Sequence, residues 1–182
     1  QFLVVGSGDQ SIHLLENRHG TLVRTLEKRI PELGTQYCRS ITLHQGLLHF
    51  VGNEDIVIYR VERGSVSATG QVIHLPQNYQ GSNDIFFLGS RHGIFTSTPQ
   101  KAFLFSSLDE LANGTAQDVS AAFRGTPYSV SRFDGRLWIP EITEYSAIRS
   151  YPAGGDSISQ ASARTLFDFG EPDSQSMERK RQ

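Results

Sequence analysis

Six histidines, His13, His19, His44, His49, His74 and His92, are the side chains in this 182-residue chain best suited to ligand chemistry. His44 and His92 take matching corners of successive strand pairs, His44-Gln45-Gly46 and Arg91-His92-Gly93, and Asp134-Gly135 takes the next such corner. Two imidazoles and a carboxylate on one rim are donors that a divalent metal accepts. Polar residues also fill hairpin turns for reasons of backbone geometry alone, and no spacing here fixes a ligand arrangement. The expectation is no metal site, with His44, His92 and Asp134 as the candidates should one exist. No catalytic or cofactor-binding residue is assigned.

Glu141 and Glu144, with Tyr145, follow Trp138 in what reads as a strand-to-strand turn. Paired acids hydrolyse a bond only when a cleft holds them at a set separation. Acidic residues in an exposed turn are the plainer reading, and Asn53-Glu54-Asp55 fills a comparable turn. Gly6-Ser7-Gly8-Asp9 resembles a phosphate loop or a nucleophile elbow, but both need a strand leading into a helix. Here Ser11-Ile12-His13-Leu14-Leu15 reads as another strand, so a hairpin turn is expected. Asn113-Gly114-Thr115 is the candidate glycosylation site, and it lies in a helix-like insertion that Ser107 caps and Asn113-Gly114 stops.

The elements that must position these residues recur. Segments ending at Leu15, Tyr59, Phe105 and Tyr151 are spaced by 44, 46 and 46 residues, and a second series ends at Leu43, Leu88 and Phe133, spaced by 45 and 45. The unit is about 45 residues with four antiparallel strands. In the second unit these fall near 38–44, 47–52, 55–61 and 69–75; in the third near 83–89, 94–98, 101–106 and 117–123; in the fourth near 127–133, 136–142, 146–151 and 161–167. The same ruler places strands of the first unit near 2–5, 11–15 and 21–26, and puts its innermost strand before residue 1.

On this pattern the chain resembles the β-propeller superfamily over residues 2–168. Phe133-Asp134-Gly135-Arg136-Leu137-Trp138-Ile139 is similar to the Asp-Gly hairpin of lactonase-like and NHL-like propellers, whereas WD40, kelch and sialidase signatures are absent. The resemblance implies an all-β, propeller-like fold of about four blades, units 1–34, 35–79, 80–125 and 126–170, followed by a polar tail 171–182. The first blade is expected to be incomplete. Single blades cannot cover their own faces, so closure is expected from another chain, a second copy or a further precursor fragment.

Composition narrows the partners. Seventeen basic and 19 acidic residues leave a formal charge of −2, with no electrostatic footprint for nucleic acid, and no run is long enough to span a bilayer. The single cysteine, Cys38, forbids an intrachain disulfide and fits the cytosol as well as secretion. The sequon points toward an extracellular or secretory setting. So does Arg179-Lys180-Arg181, a triplet suited to a furin-like processing protease. A chain that opens on Phe2-Leu3-Val4-Val5 without an initiator methionine reads as a piece of something longer. The expected function is a non-catalytic protein–protein interaction module. A glycan- or small-ligand-binding four-bladed disc and a metal-dependent hydrolase on a propeller scaffold are the alternatives.

Overall fold

The computed structural model describes residues 2–6, 11–62, 65–97, 99–142 and 147–168. Four antiparallel sheets follow one another along the chain. The first holds β1 (Phe2–Gly6), β2 (Ser11–Arg18) and β3 (Thr21–Arg29). The second holds β4 (Ser40–His44), β5 (Leu47–Val51), β6 (Asp55–Glu62) and β7 (Ser65–His74). The third holds β8 (Ser82–Leu88), β9 (Arg91–Ser97), β10 (Gln100–Phe105) and β11 (Gln117–Asp118). The fourth holds β12 (Thr126–Pro127), β13 (Ser131–Phe133), β14 (Arg136–Ile142), β15 (Ala147–Pro152) and β16 (Arg164–Asp168). The first sheet has three strands because β1 pairs with β2 alone among the described residues, as the sequence ruler predicts.

Period-two alternation explains how the sheets stack. In β10, Phe103 and Phe105 pack toward the second sheet with Ile56, Ile58, Ile85 and Phe87. Ala102 and Leu104 pack the other way, with Phe95, Leu137, Ile139 and Tyr151. A third cluster, with Ile12, Leu48, Phe50 and Tyr59, joins the first two sheets. Each sheet is a blade, and each core lies between blades. Among the described residues no helix is long and apolar enough to cross a membrane.

The insertion behaves as its caps dictate. Helix α1 (Leu108–Ala112) starts at Ser107, whose hydroxyl accepts from the Glu110 N–H, while the Glu110 carboxylate accepts from the Ser106 N–H. It leaves the third blade between β10 and β11.

Three details differ from the sequence reading. The corner of the third blade is Gly89-Ser90, not Gly93; Gly89 has φ +57°, and the Ser90 N–H and hydroxyl donate to Asp156 of the fourth blade at 2.7 and 2.9 Å. Gly93 lies within β9, opposite Phe86, whose ring covers it. The fourth strand of the third blade is only two residues long, because Ser120 binds Asp118 and the Ala102 N–H and turns the chain away. The innermost strand of the fourth blade is split into β12 and β13.

A Cβ at Gly93 would meet the Phe86 ring at 2.0 Å, whereas one at Gly154 meets nothing within 4 Å. Gly93→Ala should cost about 1–3 kcal/mol through overpacking. Urea unfolding should show that loss, with Gly154→Ala close to wild type.

Candidate functional site

Alternation along β4 and β5 turns Thr42, His44 and His49 toward the third blade, and from that blade Phe87 and His92 face back. His44 stacks on Phe87 with ring centroids 3.8 Å apart and planes 4° from parallel. His49 and His92 contact the same ring at 5.1 and 5.0 Å, and His92 also stacks on Phe105 at 5.4 Å. His44 and His92 thus meet, at 6.2 Å between centroids, around an aromatic ring. Asp134 does not join them. It is exposed at φ +49°, the first corner residue of the β13–β14 hairpin, with Gly135 second. Among the described residues no group of three or more His, Cys, Asp or Glu is arranged to hold a metal.

The seam favours neutral imidazoles. Burial lowers the pKa of His44, and Arg132 lowers it further; burial and then His44 lower that of His92. His49, only 3% exposed, is pushed down to about 4, chiefly by burial. His49 carried no motif, so its place here was legible only from its phase in β5, opposite Thr42.

Asp84 fastens three blades near their innermost strands. One carboxylate oxygen accepts from the Ile85 N–H at 2.9 Å and the Thr42 hydroxyl at 3.5 Å, and the other accepts from the Val130 N–H at 3.0 Å. Burial raises its pKa against the pull of these donors. Beside it, β4, β8 and β13 enclose a cleft of about 80 Å³ lined by residues that include Thr42, His44, Phe87, Val130 and Arg132.

Glu141 is not in an exposed turn. It lies in β14, 1% exposed, because it shares the inward phase of Leu137 and Ile139. One oxygen accepts from the Arg124 and Gly125 N–H groups and from Arg149, each at 3.0 Å; the other accepts from the Tyr151 hydroxyl. With both oxygens engaged it ties the linker to the fourth blade. Glu144, Tyr145, Ser7 to Asp9 and the tail with Arg179-Lys180-Arg181 lie outside the described residues.

No family model and no curated protein matches this sequence. Solved structures do. The WD40 domain of Neurospora crassa Pan2 superposes with a TM-score of 0.54 at 14% identity, over 86% of this chain and 44% of that one. A structure of the nidogen/laminin complex gives 0.57 at 14% identity, over 94% and 64%. PorZ of Porphyromonas gingivalis, a surface component of the type-IX secretion system, gives 0.55 at 10% identity, over 93% and 21%. The chain has a β-propeller fold. It spans less than two thirds of each of these chains, and among the described residues its propeller sheets are not closed into a ring.

For a propeller with this seam, acid is destabilising. A proton binds the unfolded His49 better than the folded one, so its contribution is complete above pH 6.5 and is lost as pH falls toward about 4. The full loss is about 3 kcal/mol, and His49→Leu should flatten the stability profile between pH 6.5 and 5. Glu141→Ala should cost about 3–5 kcal/mol by leaving Arg149 buried without its counter-charge. Denaturant melts across pH check both.

Proposed function

We propose that the chain is a non-catalytic protein–protein interaction module, a propeller segment whose open flanks pack against blades of another chain or segment. The observation that supports this is the outer face of the fourth blade. Trp138, Pro140 and Ile148, with Phe133, Ser129 and Ser131, line a mainly apolar groove of about 340 Å³. Phe133 is 67% exposed and Ile142 51%, a large apolar outlay for a surface.

Register gives this face its meaning. Leu48, His92 and Leu137 each pair with the terminal aromatic of the next strand: Tyr59, Phe105 and Tyr151. Aligned on those pairs, Trp138 and Pro140 match His49 and Val51 in the second blade, and Gly93 and Phe95 in the third. Those four are buried against the following blade. The fourth blade is therefore built like blades that are covered. At the other flank, β1 has one ladder partner among the described residues, and an added inner strand would complete that blade by β-augmentation.

Purified alone, the chain should self-associate or bind an apolar dye through the fourth-blade face. The pair Phe133→Asp and Ile142→Lys should remove both while leaving the circular dichroism unchanged. A well-folded monomer that binds no such dye overturns the reading.

An extracellular setting belongs to the same proposal. Asn113 is exposed at the end of α1, followed by Gly114 at φ +72° and exposed Thr115. Passed through a secretory pathway, the chain should carry one endoglycosidase-sensitive glycan, and Asn113→Gln should abolish that gel shift.

A further inference from the structure

The axial cleft goes beyond that reading, since it lies among the second, third and fourth blades and uses neither open flank. Two bulges shape it. In β8 the register to β9 slips between Ser82 and Asp84. In the fourth blade Pro127 pairs with Glu141 and Ser131 with Trp138, so three residues, 128–130, oppose two, 139 and 140. The second blade's inner ladder, β4 on β5, runs without a slip. Bulges re-aim side chains and gather beside binding sites. Here the Val130 N–H turns to the Asp84 carboxylate, and two residues on Arg132 reaches the cleft wall facing His44.

What this arrangement leaves without a counter-charge is Arg132. Among the described residues no carboxylate lies within ion-pair distance of Arg132, although the guanidinium is the side chain best matched to a two-oxygen anion. The carboxylate already present, Asp84, is engaged by Thr42, Ile85 and Val130, and its negative charge confines an added anion to the Arg132–His44 side. Phe87 and Phe86 close the rest of the wall.

From these residues we infer that the axial cleft is a carboxylate-binding site, with Arg132 as the charged anchor and His44, held flat against Phe87, as the second donor. Its size sets the ligand. About 80 Å³ takes the space of two or three waters, at roughly 30 Å³ each in the liquid, so only a carboxylate head enters and any larger body stays outside. The shared chemistry fits an acidic side chain of a docking loop or a small free carboxylate.

The test is titration of the whole chain with acetate, with the capped tripeptide acetyl-Gly-Glu-Gly-amide, and with acetamide as the uncharged control. His44 ring resonances report occupancy. Saturable shifts with acetate or the peptide, none with acetamide, and at least about a tenfold loss on Arg132→Gln are expected, since a charge-assisted hydrogen bond contributes about 1.5–3 kcal/mol. Tighter binding of the peptide than of acetate identifies a protein side chain as the ligand, and equal binding identifies a free carboxylate. Thermal melts must show Arg132→Gln folded, as an exposed position allows. Failure of both carboxylates to saturate, equal shifts with acetamide, or undiminished binding by Arg132→Gln overturns the inference. None of these outcomes touches the flank reading, whose variants lie on the other side of the fourth blade.

Discussion

A sheet that carries large apolar side chains on both faces is stable only when both faces are covered, and this structure follows from that constraint. All seven residues of β8 are buried, because the third blade has a neighbour on each side. In β14 the inward residues Leu137, Ile139 and Glu141 are buried, whereas the outward ones are half-buried or exposed. The contrast between one strand and the other is the contrast between an interior blade and an end blade. Burying a large apolar side chain stabilises by roughly 1.5–3 kcal/mol, and each interblade core holds eight or more buried residues. The faces therefore outweigh any individual polar contact.

Polar groups then decide alignment. Hydrophobic faces slide, but Asp84, Glu141 and Asp156 each join backbone N–H groups that belong to a different blade or linker. Such contacts add little net free energy when made and cost much when broken. Their effect is to fix how one blade sits on the next. The split inner strand of the fourth blade is part of this: the Tyr128 N–H still donates to the Pro140 carbonyl, whereas that of Val130 donates to Asp84 instead. The axial cleft lies beside that interruption, with Val130 and Arg132 in its lining.

The quartet pattern was legible in the sequence because strand length, alternation and corner glycines agree at each of its levels. Where they disagreed, the reading slipped. Arg91-His92-Gly93 has the composition of a corner, and only the Phe86 ring above Gly93 shows that the glycine serves packing instead of turning. Glu141 reads as a turn acid when grouped with Glu144 and Tyr145, yet its phase with Leu137 and Ile139 was available in the sequence. His44 and His92 read as matching corners, yet one ends β4 and the other lies within β9, and nothing in their spacing foretells their meeting. Its basis, a shared aromatic ring, depends on Phe87, which reads as ordinary core. Arg132 gave no local signal and His49 only its phase in β5, since their roles arise between blades and not within one.

Three residues at one register position show how far the context decides. In the third blade the position is Gly93, because the Phe86 ring needs the space. In the second it is His49, where a histidine is held neutral by the seam it lies in. In the fourth it is Trp138, the largest side chain available, at a face without a described neighbour. A residue selected only for the fold of its own blade would not vary from nothing to an indole. Gly93 and His49 are matched to what packs against them, and the indole on the fourth blade lies beside Phe133 and Ile148 in the outer groove.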